Sequence, residues 1–213
     1  MPTREALREL LGLASYRHLL GAFSLHALAF TGGSTWNAAF LARIHGMQPG
    51  EIGSMLAFGS AAFMGLGILC AGFVTDRLAL RDERWTLRAP AFATIATAPF
   101  TLAFLFAPTR GLALACLAPA AFCTGFGTPG MHAATQRLAR PATRATAAAL
   151  NLVCLTLIGG FGPTLVGIGN DVLGEAFGGG AIRVSLALVA VTSVWSGLHA
   201  LRAARTFRAD VAR

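Results

Sequence analysis

The sequence predicts an all-α membrane protein of six spans. Three observations carry that prediction: the overall apolar composition, the length of the apolar segments, and the placement of the arginines. Of the 213 residues, 55% are hydrophobic and only 12% are charged. An ordinary soluble domain carries about 25% charged residues, so the composition points to lipid as the solvent. A helix rises about 1.5 Å per residue, and about 20 apolar residues cross the hydrocarbon. Six stretches reach that length: 18–42, 52–75, 89–107, 112–136, 145–170 and 182–201. None of them alternates in polarity as a barrel strand does. Backbone groups in lipid must be satisfied within each span, which leaves helices. The fourth stretch is the one whose continuity the sequence supports least, because Pro119, Gly125, Gly127, Pro129 and Gly130 interrupt it.

All 17 basic residues are arginine, and the formal net charge is +8. A nucleic-acid module would need a basic face on a soluble core, and no segment is polar enough to form one. The arginines instead fall between the apolar runs. Fourteen of them (residues 4, 8, 17, 77, 81, 84, 88, 137, 140, 144, 202, 205, 208 and 213) lie on alternate connections and at both ends, and the other three connections hold only Arg43, Arg110 and Arg183. That split agrees with six spans and places both termini on the cytoplasmic side of the cell's inner membrane. Cys70, Cys116, Cys123 and Cys154 all lie inside apolar runs, without metal-ligand spacing. They read as small packing residues, and no metal or cofactor is expected. The first apolar run is too long for a signal-peptide core. Residues 1–17 form a lead-in, within which 3–14 reads as an amphipathic helix lying along the inner membrane surface, and 202–213 form a basic tail.

The chain also repeats itself. Gly72, Asp76 and Leu78 at the end of the second run recur as Gly167, Asp171 and Leu173 at the end of the fifth, at a constant offset of 95 residues. The first copy lies on the Arg-rich side and the second on the Arg-poor side. Two three-helix units of opposite orientation produce that arrangement.

Three motifs carry a resemblance. Gly72-Phe-Val-Thr-Asp76-Arg77-Leu-Ala-Leu-Arg81-Asp82-Glu83-Arg84 resembles the Gly-x3-Asp-Arg-x3-Arg loop of the major facilitator superfamily. Ala79 stands where the family usually has glycine, as in the weaker second-half copy of the motif. Read as residues, Gly72 admits close helix approach, Asp76 suits the amides at a neighbouring helix N-terminus, and Arg77, Arg81 and Arg84 suit acids or lipid phosphates. Arg144-Ala-Thr-Ala-Ala-Ala-Leu-Asn151, followed by Leu157-Ile-Gly-Gly-Phe-Gly162-Pro163-Thr-Leu-Val-Gly167, resembles the penultimate span of spinster-like facilitators. There the small residues permit close packing and Pro163 frees a backbone carbonyl. The opening, Leu13 to Leu19 with Trp36 to Leu41 and Arg43-Ile-His-Gly-Met47, resembles the seventh span of the same group.

The resemblance implies the C-terminal six-helix half of a transporter that works by alternating access. The partners it implies are the lipid bilayer, a small-molecule substrate and a second six-helix half, supplied by a separate chain or a second copy; alone, the chain is expected not to transport. It also implies that the first, second, fourth and fifth spans line the substrate cavity, while the third and sixth face lipid. On the lining spans the candidates are His26, Gly33 and Asn37, which share a helical stripe with Phe30, then Thr124 and Thr128 with His132 on their shoulder, and Asn151 early in the fifth. No carboxylate lies deep in a span, so any proton coupling within this chain falls to His26 or His132. No Gly-x-Ser-Gly, His-Glu-x-x-His or paired-Glu metal motif occurs, and no enzyme is expected. The other class that fits is a non-transporting membrane scaffold or a degenerate remnant of a transporter.

Overall fold

A computed structural model describes residues 2–212; Met1 and Arg213, the latter among the predicted tail arginines, lie outside the described residues. The lead helix Thr3–Gly12 precedes six long helices. The first span is Ala14–His45, ended by Gly46 in the left-handed conformation (φ 62°). The second comprises Pro49–Ser54, a π-helical turn Met55–Ser60 and Ala61–Ala79. The third is Trp85–Phe106 and the fourth Arg110–Leu138. The fifth comprises Arg144–Val153, a π-helical turn Cys154–Ile158 and Gly159–Phe177. A glycine turn, Gly178–Gly180, leads to the sixth, Ala181–Val211. No strand occurs among the described residues.

Pro49–Ala79, Trp85–Phe106, Arg110–Leu138 and the run Arg144–Val211, which contains two spans, are each long and apolar enough to cross a bilayer. Ala14–His45 is long enough but more polar, because Ser24, His26, Thr31, Ser34 and Asn37 lie along it.

The fourth span is one unbroken helix in spite of Pro119 and Pro129. Its glycines explain how it packs. A Cβ on Gly125 would collide with the Met64 carbonyl, and one on Gly130 with Pro90 and the Thr86 carbonyl, so this helix lies directly against the backbones of the second and third spans. The irregular turns come instead in the second and fifth spans, at Met55–Ser60 and Cys154–Ile158. They fall early in two spans that the repeat relates.

Helix neighbours obey the repeat. The first span packs on the sixth as the fourth packs on the third; the second packs on the fourth as the fifth packs on the first; the third and sixth meet across the axis. The same relation holds between atoms. Gly67 of the second span would drive a Cβ into the Phe122 carbonyl of the fourth, and Gly162 of the fifth would drive one into the Leu28 carbonyl of the first. Gly67 and Gly162 stand at the offset of 95 residues that separates Gly72 from Gly167. The chain is thus two inverted three-helix units, as its sequence predicts.

At the Arg-rich end the bundle is closed by a core that includes Leu10, Tyr16, Leu19, Phe23, Met131, Leu138 and Phe207. The lead helix joins it: Ala6 and Leu10 are buried against the bundle, and Glu9 pairs with Arg140 at 3.4 Å. The end of the sixth helix is clamped to the start of the first, where Asp210 Oδ2 accepts from Ser15 N at 2.9 Å and from Ser15 Oγ at 2.7 Å, both bonds buried. A carboxylate there also complements the helix N-terminus. Asp210→Ala should lower stability by about 2 kcal/mol, since it leaves buried donors without their charged acceptor. Thermal unfolding in detergent measures this; Asp210→Asn should recover only part, because the amide carries no charge.

Candidate functional site

A hollow of about 270 Å³ opens between the first, second and fourth spans, with the third and sixth as its floor. It lies towards the Arg-poor end, away from the core that closes the other. His26, Phe30, Gly33 and Asn37 all face it, as their shared stripe predicts, and Thr124 faces it from the fourth span. His26 is buried; its Nε2 lies 3.4 Å from Thr128 Oγ1, and its ring is parallel to that of Phe30 at 6.5 Å. Thr128 thus reaches the hollow through His26.

The remaining candidates lie elsewhere. His132 is exposed and packs on Phe23 with ring centroids 4.8 Å apart. Asn151 is buried at the Arg-rich end, where its Nδ2 donates to Thr135 Oγ1 at 3.0 Å. Thr135 passes that bond to Met131 O at 3.1 Å. Asn151 Oδ1 has no partner, and the residue does not line this hollow.

The expected division of lining and lipid-facing spans does not describe this hollow. The fifth span contributes nothing to it, whereas Thr97, Thr101, Phe104 and Leu105 of the third and Leu186, Ala190 and Ser193 of the sixth do. The reason is packing: the third and sixth cross on the axis between the units and so close the back of any space the front helices leave.

Most hydroxyls around the hollow are already satisfied on their own helices. Thr124 donates to Ala120 O at 2.9 Å, Thr97 to Ala93 O at 3.2 Å, Ser34 to Thr31 O at 3.1 Å and Ser193 to Ala190 O at 2.7 Å. Asn37, Ser60 and Thr101 are different. Each lines the hollow, and the side chain of none of them bonds to any described residue. Their free donors and acceptors, with the His26–Thr128 pair, form the polar inventory of an otherwise apolar, uncharged space. Ser60 and Thr101 were not candidates from sequence. Ser60 is placed by the π-helical turn of the second span, and Thr101 by a span expected to face lipid; neither carries a periodic signal.

Gly162, Pro163 and Gly167 lie where the fifth span meets the first. Pro163 has no amide for the Gly159 carbonyl, and Thr31 Oγ1 takes that carbonyl as its acceptor. Trp36 Nε1 donates to the Pro163 carbonyl at 3.0 Å. Gly162 lies against the backbone of the first span, and a Cβ on Gly167 would stand 3.5 Å from the Trp36 ring.

Gly72 and Asp76 of the loop motif meet no neighbouring helix within this bundle. No helix approaches Gly72, since an added Cβ would meet nothing within 4 Å. Asp76 is exposed, and its carboxylate has no hydrogen bond or ion pair to any described residue. Both lie on a face this bundle leaves open, beside exposed Leu69 and Phe73. Arg77 lies over the Phe73 ring at 4.8 Å, Arg81 is exposed, and Arg84 Nε is buried without a partner. The following acids pair within the chain: Asp82 with Arg88 at 3.3 Å, and Glu83 with Arg137 at 2.9 Å.

No family model matches the chain. An MFS-type efflux pump of Mycolicibacterium smegmatis is 34% identical over 180 residues, a stretch that covers 84% of this chain and 42% of that protein. The chain therefore spans less than half the length of this curated relative. Two crystal structures of a bacterial homologue of the human lysosomal transporter Spinster superpose on it. The inward-facing unoccupied form gives a TM-score of 0.83 at 20% identity, over 97% of this chain and 50% of that one. The occupied form gives 0.80 at 21% identity, over 95% and 51%. The inverted units, the close glycine contacts and these likenesses agree: the chain is a membrane protein with the six-helix, spinster-like half of the major facilitator superfamily fold.

Proposed function

We propose that this bundle is the C-terminal half of an alternating-access transporter that moves a small organic or amphipathic solute across the inner membrane, with both termini in the cytoplasm. The observation that carries the reading is the hollow itself. At about 270 Å³ it is at the small end for a ligand site, and it presents the unbonded groups of Asn37, Ser60 and Thr101. A second six-helix bundle would complete it.

The open faces support the same reading. Phe58, Leu69 and Phe73 of the second span and Leu157, Phe161 and Val172 of the fifth are exposed, and Gly72 and Asp76 stand unpartnered beside them. A facing bundle, on another chain, on a further stretch of the same protein or in a second copy, would cover part of this surface and supply the helix N-terminus that Asp76 lacks. The efflux activity of the Mycolicibacterium relative supports outward transport.

Reconstitution tests the proposal. In vesicles, the chain alone should give no solute flux, and flux should appear when the other six spans of a spinster-like transporter are reconstituted with it. Continued absence of flux in a properly assembled pair would mark the chain as a scaffold. In the active pair, His26→Ala should abolish the pH dependence of uptake; a retained pH dependence would exclude His26 as the coupling group.

A further inference from the structure

A second concavity, of about 480 Å³, lies at the Arg-rich face between the loop after the second span and the end of the sixth helix. Leu80, Arg81, Asp82, Glu83, Arg208 and Val211 line it. Its formal charges cancel, but its available charges do not. Asp82 is held by Arg88 at 3.3 Å and by the Arg84 backbone N–H at 3.0 Å. Glu83 is held by Arg137 at 2.9 Å. Neither Arg88 nor Arg137 lines the groove, so both carboxylates are paired from outside it. Arg81 and Arg208 are exposed, and their guanidinium groups have no hydrogen bond or ion pair with any described residue. Two free guanidinium groups therefore border one space. Planar guanidinium forks pair bidentately with the oxygens of a phosphate, as they do with those of a carboxylate.

We infer that this groove binds the phosphate headgroup of an anionic phospholipid. The apolar surroundings decide between a lipid and a free phosphate. Leu80, beside Arg81, is the most exposed large apolar side chain on the described surface, at 88%, and Val211 adds apolar surface from the sixth helix. A free phosphate would leave both in water. A lipid lays its glycerol and first methylenes along them while its phosphate meets the arginines. The depth fits as well, because the helix of the second span ends at Ala79, one residue before Leu80, where a span emerges into the headgroup layer.

Lipid retention tests this without any need for transport. The full chain would be purified, exchanged into nanodiscs of phosphatidylglycerol and phosphatidylcholine with matched acyl chains, released into mild detergent, and weighed by native mass spectrometry. Phosphatidylglycerol should be retained preferentially. The preference should fall about fivefold for Arg81→Gln or Arg208→Gln and further for both, on the scale of an arginine beside an anionic surface. Arg4→Gln and Arg8→Gln, on the exposed side of the lead helix, should leave it unchanged. An equal loss in those controls would show a diffuse basic surface and overturn the groove. Leu80→Ser should weaken retention while keeping both arginines. If lipid-free protein binds inorganic phosphate as tightly as the lipid, and Leu80→Ser changes neither, the ligand is a free anion and the lipid reading fails. Circular dichroism of each variant separates lost binding from lost fold.

Discussion

Gly67→Val and Gly162→Val should each destabilise the bundle severely, whereas Gly72→Val should leave it folded. All three glycines sit in apolar helices, and the difference is what faces them. A Cβ at Gly67 would stand 2.9 Å from Phe126 N, besides colliding with the Phe122 carbonyl; one at Gly162 would stand 2.8 Å from Gly32 N. These obstacles are backbone, so relief requires whole helices to separate. Overpacking of a rigid site costs about 1–3 kcal/mol. At Gly162 the separation also breaks the bond from Thr31 to the Gly159 carbonyl, worth about 1 kcal/mol. Thermal unfolding in detergent should show a large fall in midpoint for Gly67→Val and Gly162→Val. Gly72 has nothing within 4 Å, so Gly72→Val should unfold like the parent and lose only its assembly with a second bundle. A Gly72→Val variant as unstable as Gly67→Val would mean that some part of this chain covers that face.

Gly33→Leu should stop transport without harming the fold. A Cβ at Gly33 meets only Asn37 Nδ2, at 3.9 Å, and the rest of a leucine extends into the hollow. Its bulk removes space that a solute needs and shields the free amide of Asn37. A misfit of even one methylene in a pocket costs about 1–3 kcal/mol of recognition, so flux by the assembled transporter should fall by at least about tenfold, with the unfolding midpoint nearly unchanged. Gly32→Leu provides the contrast. At Gly32 a Cβ stands 3.0 Å from Val189 Cγ1 and 3.3 Å from the Gly162 carbonyl, so that variant should fail by misfolding. Unimpaired flux in Gly33→Leu would move the solute path out of this hollow.

Part of the candidate site was legible in the sequence because helical geometry is local. His26, Phe30, Gly33 and Asn37 fall on one face at a fixed rotation per residue, and all four line the hollow. Asn151 and His132 are also polar residues within apolar runs, and they lie elsewhere. Polarity marks a group that needs a partner, and the partner can be another helix: Asn151 finds Thr135. Thr101 lies on a span that the resemblance has facing lipid, and a π-helical turn sets the direction of Ser60.

By itself the sequence determined the number of helices, their alternating direction and the inverted repeat. These follow from segment length against a bilayer of fixed thickness, from the uneven placement of arginine, and from local motifs recurring at one offset. Only the tertiary structure decided which glycines are contacts and which face open space, that Asp82 and Glu83 are held within the chain while Arg81 and Arg208 are not, and that the third and sixth spans floor the hollow. The physical reason is that each of these depends on the distance between segments far apart in the chain. Such a distance is set by how whole helices pack, and no residue type or spacing within one helix encodes it.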